Sequence, residues 1–142
     1  MRGSMVSSVA GDSIAVEGWR LDNFRKNPVV LWAHDYTALP VARSPLVGLE
    51  GGALRAIAEF TPAGMARFND TVFEMYKAGF LSAVSVGFLP LKWAWVEDEG
   101  RRQGIDFLEQ ELLEFSCVPV PANPGALLEA RGDLVQALGA LS

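Results

Sequence analysis

Cysteine and histidine are each present once in this 142-residue chain, as Cys117 and His34. One cysteine forbids an internal disulfide and suits a reducing compartment. With one histidine beside it, a zinc site of the usual kind cannot be assembled, so neither a metal nor another cofactor is expected. Basic clusters are lacking too. The formal net charge is -5, and Arg101 and Arg102 form an isolated pair beside Glu97, Asp98 and Glu99. No surface is built to neutralise a run of phosphates, and nucleic acid is not an expected partner. No apolar run approaches a membrane span, and the start lacks the long apolar segment of a signal peptide, which points to a soluble, cytoplasmic protein. Residues 1–4 (MRGS) read as an expression leader.

What is there is a globular composition, 50% hydrophobic and 20% charged, on a chain long enough to bury a core without covalent staples. A single domain over residues 1–142 is expected. Along it, residues 13–19 (SIAVEGW) alternate as a strand does. Residues 23–28 read as a turn or loop closing on Pro28, and residues 29–34 (VVLWAH) as a buried strand. Pro40 and Pro45 bracket a loop. Residues 47–60 form a hairpin turning at Glu50-Gly51-Gly52. Thr61-Pro62 reads as the cap of a helix carrying Met65, Phe68, Val72, Met75 and Tyr76 on one face and ending at Gly79. Strands follow at residues 81–88 and, beyond Pro90, at 91–96, with a charged turn over 97–104. A long strand, 105–118, has a bulge expected near residues 109–111. Asn123-Pro124 opens a C-terminal helix with Leu127, Leu128, Leu134, Val135, Leu138 and Leu141 on its apolar face. The sum is a mostly β protein with flanking helices, of the α+β class, built on a small, curved antiparallel sheet or barrel.

Three residues stand out within that pattern. Residues 81–88 (LSAVSVGF) place Ser85 on the same strand face as Ala83 and Gly87, too small to cover its hydroxyl, so a peptide backbone can approach. The same pattern is also met in ordinary strands, where glycine marks a bulge. His34 ends a buried strand, where a histidine making one hydrogen bond is the commoner occupant. Glu114 lies in an otherwise apolar stretch, sharing a face with Leu112, Ser116 and Val118. It is either exposed on an edge or buried with a hydrogen-bonded partner, because an unpaired buried carboxylate is costly. Together they offer a nucleophile, a base and an acidic orienter on three strands. A chain of this size meets that requirement by chance often enough that composition alone does not decide it.

Three segments taken in order, NPVVLWAHDY (27–36), LSAVSVGF (81–88) and LLEFSCVPVPANPGAL (112–127), resemble the prohead maturation proteases of tailed bacteriophages, which look related in fold to the herpesvirus assemblins. The resemblance implies an assemblin-like barrel of about six or seven strands. It implies a serine endopeptidase acting inside the assembling prohead, in the host cytoplasm, with scaffolding protein and the major capsid protein as substrates, self-cleavage and self-association being further implications. Carried over by motif, His34 is the histidine of the His-Asp pair and Ser85 the serine of the SVGF motif. Assemblins use a second histidine as third member, which this chain lacks. Glu114 occupies the matching late strand, Asp35 competes with it, and a His34/Ser85 dyad stays open. The paired arginines to which assemblins look for the oxyanion are replaced by residues 119–125, so that feature does not transfer. Two alternatives stand beside this reading: an inactive scaffold- or capsid-binding module, and a Cys117 nucleophile paired with His34, the latter disfavoured by the apolar setting of the thiol.

Overall fold

The computed structural model describes residues 13–95, 104–121, 127–131 and 134–138. The charged turn expected over 97–104 lies outside them except for Gly104, and so do the leader at 1–4 and the Asn123-Pro124 helix start. Strands dominate: β1 (Ser13–Ile14), β2 (Trp19–Arg20), β3 (Val29–Trp32), β4 (Ala42–Glu50), β5 (Ala53–Phe60), β6 (Ala83–Trp95), β7 (Ile105–Val118), β8 (Leu127–Arg131) and β9 (Leu134–Leu138). Two helices, α1 (Asp22–Lys26) and α2 (Arg67–Lys77), complete the described elements, with a single 3-10 turn at Val16–Gly18. The strand predicted over 13–19 is thus two short pieces split by that turn. Its Gly18 sits so close to β7 that an added Cβ would stand 1.9 Å from the Leu108 carbonyl oxygen. Residues 23–28, read as a loop, contribute to α1.

The sheet runs β7-β3-β4-β5-β9-β8-β6, with β1 and β2 alongside β7 and a second pairing of β6 to β7. It corrects the expected antiparallel barrel in two ways. The sheet is mixed, since β1, β2 and β3 all run parallel to β7. Nor is it closed into a barrel: β6 meets β8 at one register pair among the described residues, Ala83 opposite Leu127. Beyond that point the described partner of β6 is β7, and the two run on together to exposed Trp93 and Trp95.

The β4–β5 hairpin forms as expected. Gly51 and Gly52 have φ of +59° and +74°, the left-handed pair that a tight two-residue turn requires. Pro45 does not end a loop but lies within β4, where the register shifts between Arg43 and Leu46. Pro90 likewise sits inside β6, beside a register shift. The C-terminal helix is replaced by the antiparallel β8–β9 pair, Leu127 opposite Leu138 and Arg131 opposite Leu134. Leu, Ala and Gln favour helix, but pairing β9 to β5 supplies the sheet hydrogen bonds that β5 would otherwise lack.

Helix α2 begins at Arg67 rather than at Thr61-Pro62. Thr61 Oγ1 accepts a hydrogen bond from Asn69 Nδ2 at 3.1 Å instead of capping a helix, and Gly64 at φ +88° turns the chain. The end is as expected: Gly79 takes φ +85°, and the Phe80 and Leu81 N–H groups return to the Met75 carbonyl. The buried face is Asn69, Val72 and Tyr76, with Met65, Phe68 and Met75 left exposed. The helical period was legible, whereas the face is rotated by about one residue. Phe73 packs on Phe60 of β5, and Tyr76 donates its hydroxyl to the Ala83 carbonyl at 2.6 Å. The core between the layers holds Phe24 against Phe115, and Trp19 and Phe107 edge-on to Phe88. Each such ring removes enough apolar surface to contribute about 2–3 kcal/mol.

Candidate active site

Ser85 lies in β6 directly opposite Ser116 of β7, and Gly87 opposite Glu114. Residues paired across an antiparallel ladder share a face and have Cβ atoms about 5 Å apart. One face of the β6–β7 ladder therefore carries Ser85, Ser116 and Glu114, with no side chain at Gly87 to crowd the carboxylate. The opposite face carries Val84, Val86, Phe115 and Cys117 and belongs to the core. Sequence alternation alone also puts Leu112 with Glu114. The register instead pairs Phe88 with Leu112 and Gly87 with Glu114, so Leu113 is an extra residue and Leu112 falls on the core face. A bulge of this kind bends the strand next to the site. Further register shifts fall at Pro90/Lys92 and Lys92/Trp93, opposite Phe107 to Gln110, close to the bulge expected from the sequence.

His34 reaches this face from β3. The strand ends at Trp32, two residues short of its predicted end, and Ala33 and His34 form a tight turn closed by the Asp35 N–H donating to the Trp32 carbonyl at 2.9 Å. Both turn residues are left-handed, Ala33 at φ +49° and His34 at φ +58°. A left-handed L-residue costs about 1–2 kcal/mol, and such outliers cluster at functional sites. Two bonds to β7 hold the turn: the Ala33 N–H donates to the Cys117 carbonyl at 2.9 Å, and the His34 N–H to Ser116 Oγ at 3.0 Å.

The imidazole Nδ1 is 2.7 Å from Glu114 Oε2. Glu114 is fully buried, and its carboxylate is satisfied: Oε1 accepts from the Ser116 hydroxyl at 2.6 Å, and Oε2 also accepts from the Tyr36 hydroxyl at 3.2 Å. Of the two settings left open for this carboxylate, the structure has the buried and paired one. A carboxylate on Nδ1 fixes that nitrogen as the donor and leaves Nε2 to accept a proton. Burial, with the Glu114 charge next to it, pushes the Tyr36 hydroxyl well above the ordinary phenol range and keeps it a donor. Ser85 is 5% exposed, and its hydroxyl makes no hydrogen bond to the described residues, His34 included.

The competing residues are engaged elsewhere. Asp35 is exposed and accepts from the Thr37 hydroxyl at 2.7 Å and the Thr37 N–H at 3.0 Å, bonds that hold its carboxyl below the usual range. Cys117 is buried on the core face, paired with Val84 and Trp32, and burial pushes its thiol up to about 12. Such a thiol is inert at neutral pH. Sequence reasoning gave no role to Ser116 and Tyr36. The spacing of two from Glu114 to Ser116 was the available signal for the first; Tyr36 reaches the carboxylate through a turn that strand periodicity does not foresee. Among the described residues no group of three or more His, Cys, Asp or Glu side chains could hold a metal ion, and no helix is long and apolar enough to cross a membrane.

A histidine held by a buried carboxylate, beside the β6–β7 face that carries Ser85, offers groups of the kind acyl transfer uses. The chain belongs to the Caudovirus prohead serine protease family, whose model matches residues 25–138 and so takes in His34, Ser85 and Glu114. It is similar to the prohead protease of Escherichia phage T5, with 30% identity over 118 residues. That match covers 80% of this chain and 52% of the phage T5 protein, so the chain spans about half the length of this relative. No solved structure matches.

Proposed function

We propose that the chain is the endopeptidase domain of a capsid maturation protease, with Ser85 as nucleophile, His34 as general base and Glu114 as the residue that orients it. The observation that carries this reading is the 2.7 Å bond from Nδ1 to a buried carboxylate, on the face where Ser85 stands. His34 Nε2 takes the Ser85 hydroxyl proton as Oγ attacks the scissile carbonyl. The same nitrogen returns the proton to the leaving amine, giving an acyl-enzyme. Water, deprotonated by Nε2, then releases the acid and restores Ser85. Glu114 stabilises the imidazolium formed in each half of the cycle. The Ser85 hydroxyl makes no hydrogen bond to His34 in the free chain, so this reading requires one to form as substrate binds, as catalytic hydrogen bonds commonly tighten only then.

The substrates on this reading are the scaffolding protein and the scaffold-like part of the major capsid protein, cleaved inside the prohead. Confinement raises the enzyme's concentration, and a rise of specific activity with concentration would reveal self-association. The test is a gel assay of the cognate scaffold or capsid precursor with wild type, Ser85→Ala and His34→Ala. Cleavage by wild type, with both variants folded and inactive, supports the assignment. Undiminished cleavage by Ser85→Ala removes the nucleophile. Absence of cleavage at any concentration, together with tight precursor binding, favours an inactive binding module instead.

A further inference from the structure

We infer that Ser116 is a positioning residue for the histidine, one hydroxyl fastening both the carboxylate that orients the imidazole and the backbone that presents it. The inference rests on the reading of Ser85, His34 and Glu114 as the catalytic set. Ser116 is fully buried, and its Oγ donates to Glu114 Oε1 at 2.6 Å while accepting the His34 N–H at 3.0 Å. The two bonds use the hydroxyl in complementary senses, so neither can be kept by an alanine, and no water-exposed surface is at hand to replace them.

Their effects converge on one ring. The first bond holds the Glu114 oxygen not used by His34, which sets the plane of the carboxylate and thereby the direction in which Oε2 receives Nδ1. The second bond ties the middle of a turn whose two central residues, Ala33 and His34, both carry positive φ. Neither is glycine, so the turn persists only where its surroundings hold it. The other tie, from the Ala33 N–H to the Cys117 carbonyl, comes from the strand backbone and is independent of side chains. Among the described residues Ser116 is therefore the one side chain that grips His34 by its main chain and, through Glu114, by its ring. Its place opposite Ser85 in the ladder sets the nucleophile beside that grip.

The test uses the single histidine of the chain. In protein labelled with 15N-histidine, the Nδ1–H of His34 gives one low-field imidazole signal, observable without substrate or turnover. Ser116→Ala is compared with wild type and with Ser116→Thr, which keeps a hydroxyl. In parallel, the rate of covalent labelling of Ser85 by a fluorophosphonate probe is followed. A charge-assisted buried hydrogen bond is worth enough that its loss lowers the labelling rate by about 10- to 100-fold. The expected result is that the Nδ1–H signal of Ser116→Ala shifts and broadens and labelling slows by that factor, both recovering in Ser116→Thr. An unchanged signal with labelling within about twofold of wild type overturns the inference. If wild type itself does not label, the catalytic reading fails, while the imidazole signal still decides whether Ser116 holds the ring. Thermal unfolding of each variant separates loss of the grip from loss of the fold.

Discussion

Replacing Glu114 separates its structural work from its chemical work, because the two available replacements disturb different things. In Glu114→Gln the shape is kept. The amide oxygen can take the Oε1 position and go on accepting from the Ser116 hydroxyl, while the amide nitrogen donates to His34 Nδ1, which changes tautomer to accept, and to the Tyr36 hydroxyl, which turns its own proton to water. The donors are rearranged and none is stranded, so the stability cost is about 1 kcal/mol. In Glu114→Ala the acceptor vanishes. Tyr36 is half exposed and can turn its hydroxyl to water, but Ser116 is fully buried and the His34 side chain only 18% exposed. Stranded buried donors cost about 1–3 kcal/mol each, giving roughly 3 kcal/mol for the site. For a domain of this size that lowers Tm by about 10 °C, against a few degrees for the glutamine variant. Activity should rank differently. Both variants lack the charge that stabilises an imidazolium, and loss of that charge from a triad costs up to about 10⁴-fold in turnover. Thermal unfolding followed by circular dichroism, beside fluorophosphonate labelling of Ser85, checks both halves. Equal Tm losses for Gln and Ala, or full labelling by Glu114→Gln, would refute the reasoning.

Other substitutions test the frame around the site. Gly18→Ala forces a methyl group onto the Leu108 carbonyl oxygen and should destabilise by at least about 2 kcal/mol in urea unfolding, since backbone rather than a side-chain tip must yield. Ala33→Gly should stabilise by about 0.5–1 kcal/mol, because relief of the left-handed strain exceeds the entropy that glycine adds and the exposed alanine methyl buries little. Cys117 should resist iodoacetamide at pH 8.5 until the protein unfolds. Burial lifts its folded pKa to about 12, above the 9.0 of a free thiol, so the unfolded chain ionises first. The contribution of the thiol to stability is intact below pH 9 and declines by about 1.4 kcal/mol per pH unit as pH rises toward 12. Cys117→Ala should lack that part of the alkaline decline in a pH series of unfolding midpoints.

The sequence disclosed elements better than it disclosed their partners. Gly51-Gly52 named a hairpin because only a left-handed pair closes it, and Gly79 named the end of α2 for the same kind of reason. The last strands were misread because Leu, Ala and Gln carry a helical preference, and a free edge of β5, whose residues lie 75 to 79 positions before their partners in β9, overrides it. Alternation placed Glu114 and Ser116 together correctly, then failed at Leu112 because one inserted residue changes the parity without changing the composition. The motifs around His34, Ser85 and Glu114 carried the family. What they could not carry was the turn at Ala33-His34, since nothing in alanine or histidine announces a positive φ, and with it the reach of Tyr36 to the carboxylate.

Ala83 is a joint shared by three parts of the molecule. Its backbone pairs with Val118 on one side and Leu127 on the other, and its carbonyl receives the Tyr76 hydroxyl from α2. The only described stitch in the seam between β6 and β8 is thus also the rivet that fastens the helix to the strand, two positions before Ser85. Opening the seam and releasing the helix are consequently not separate events: whatever loosens one slackens the mooring of Ser85 itself.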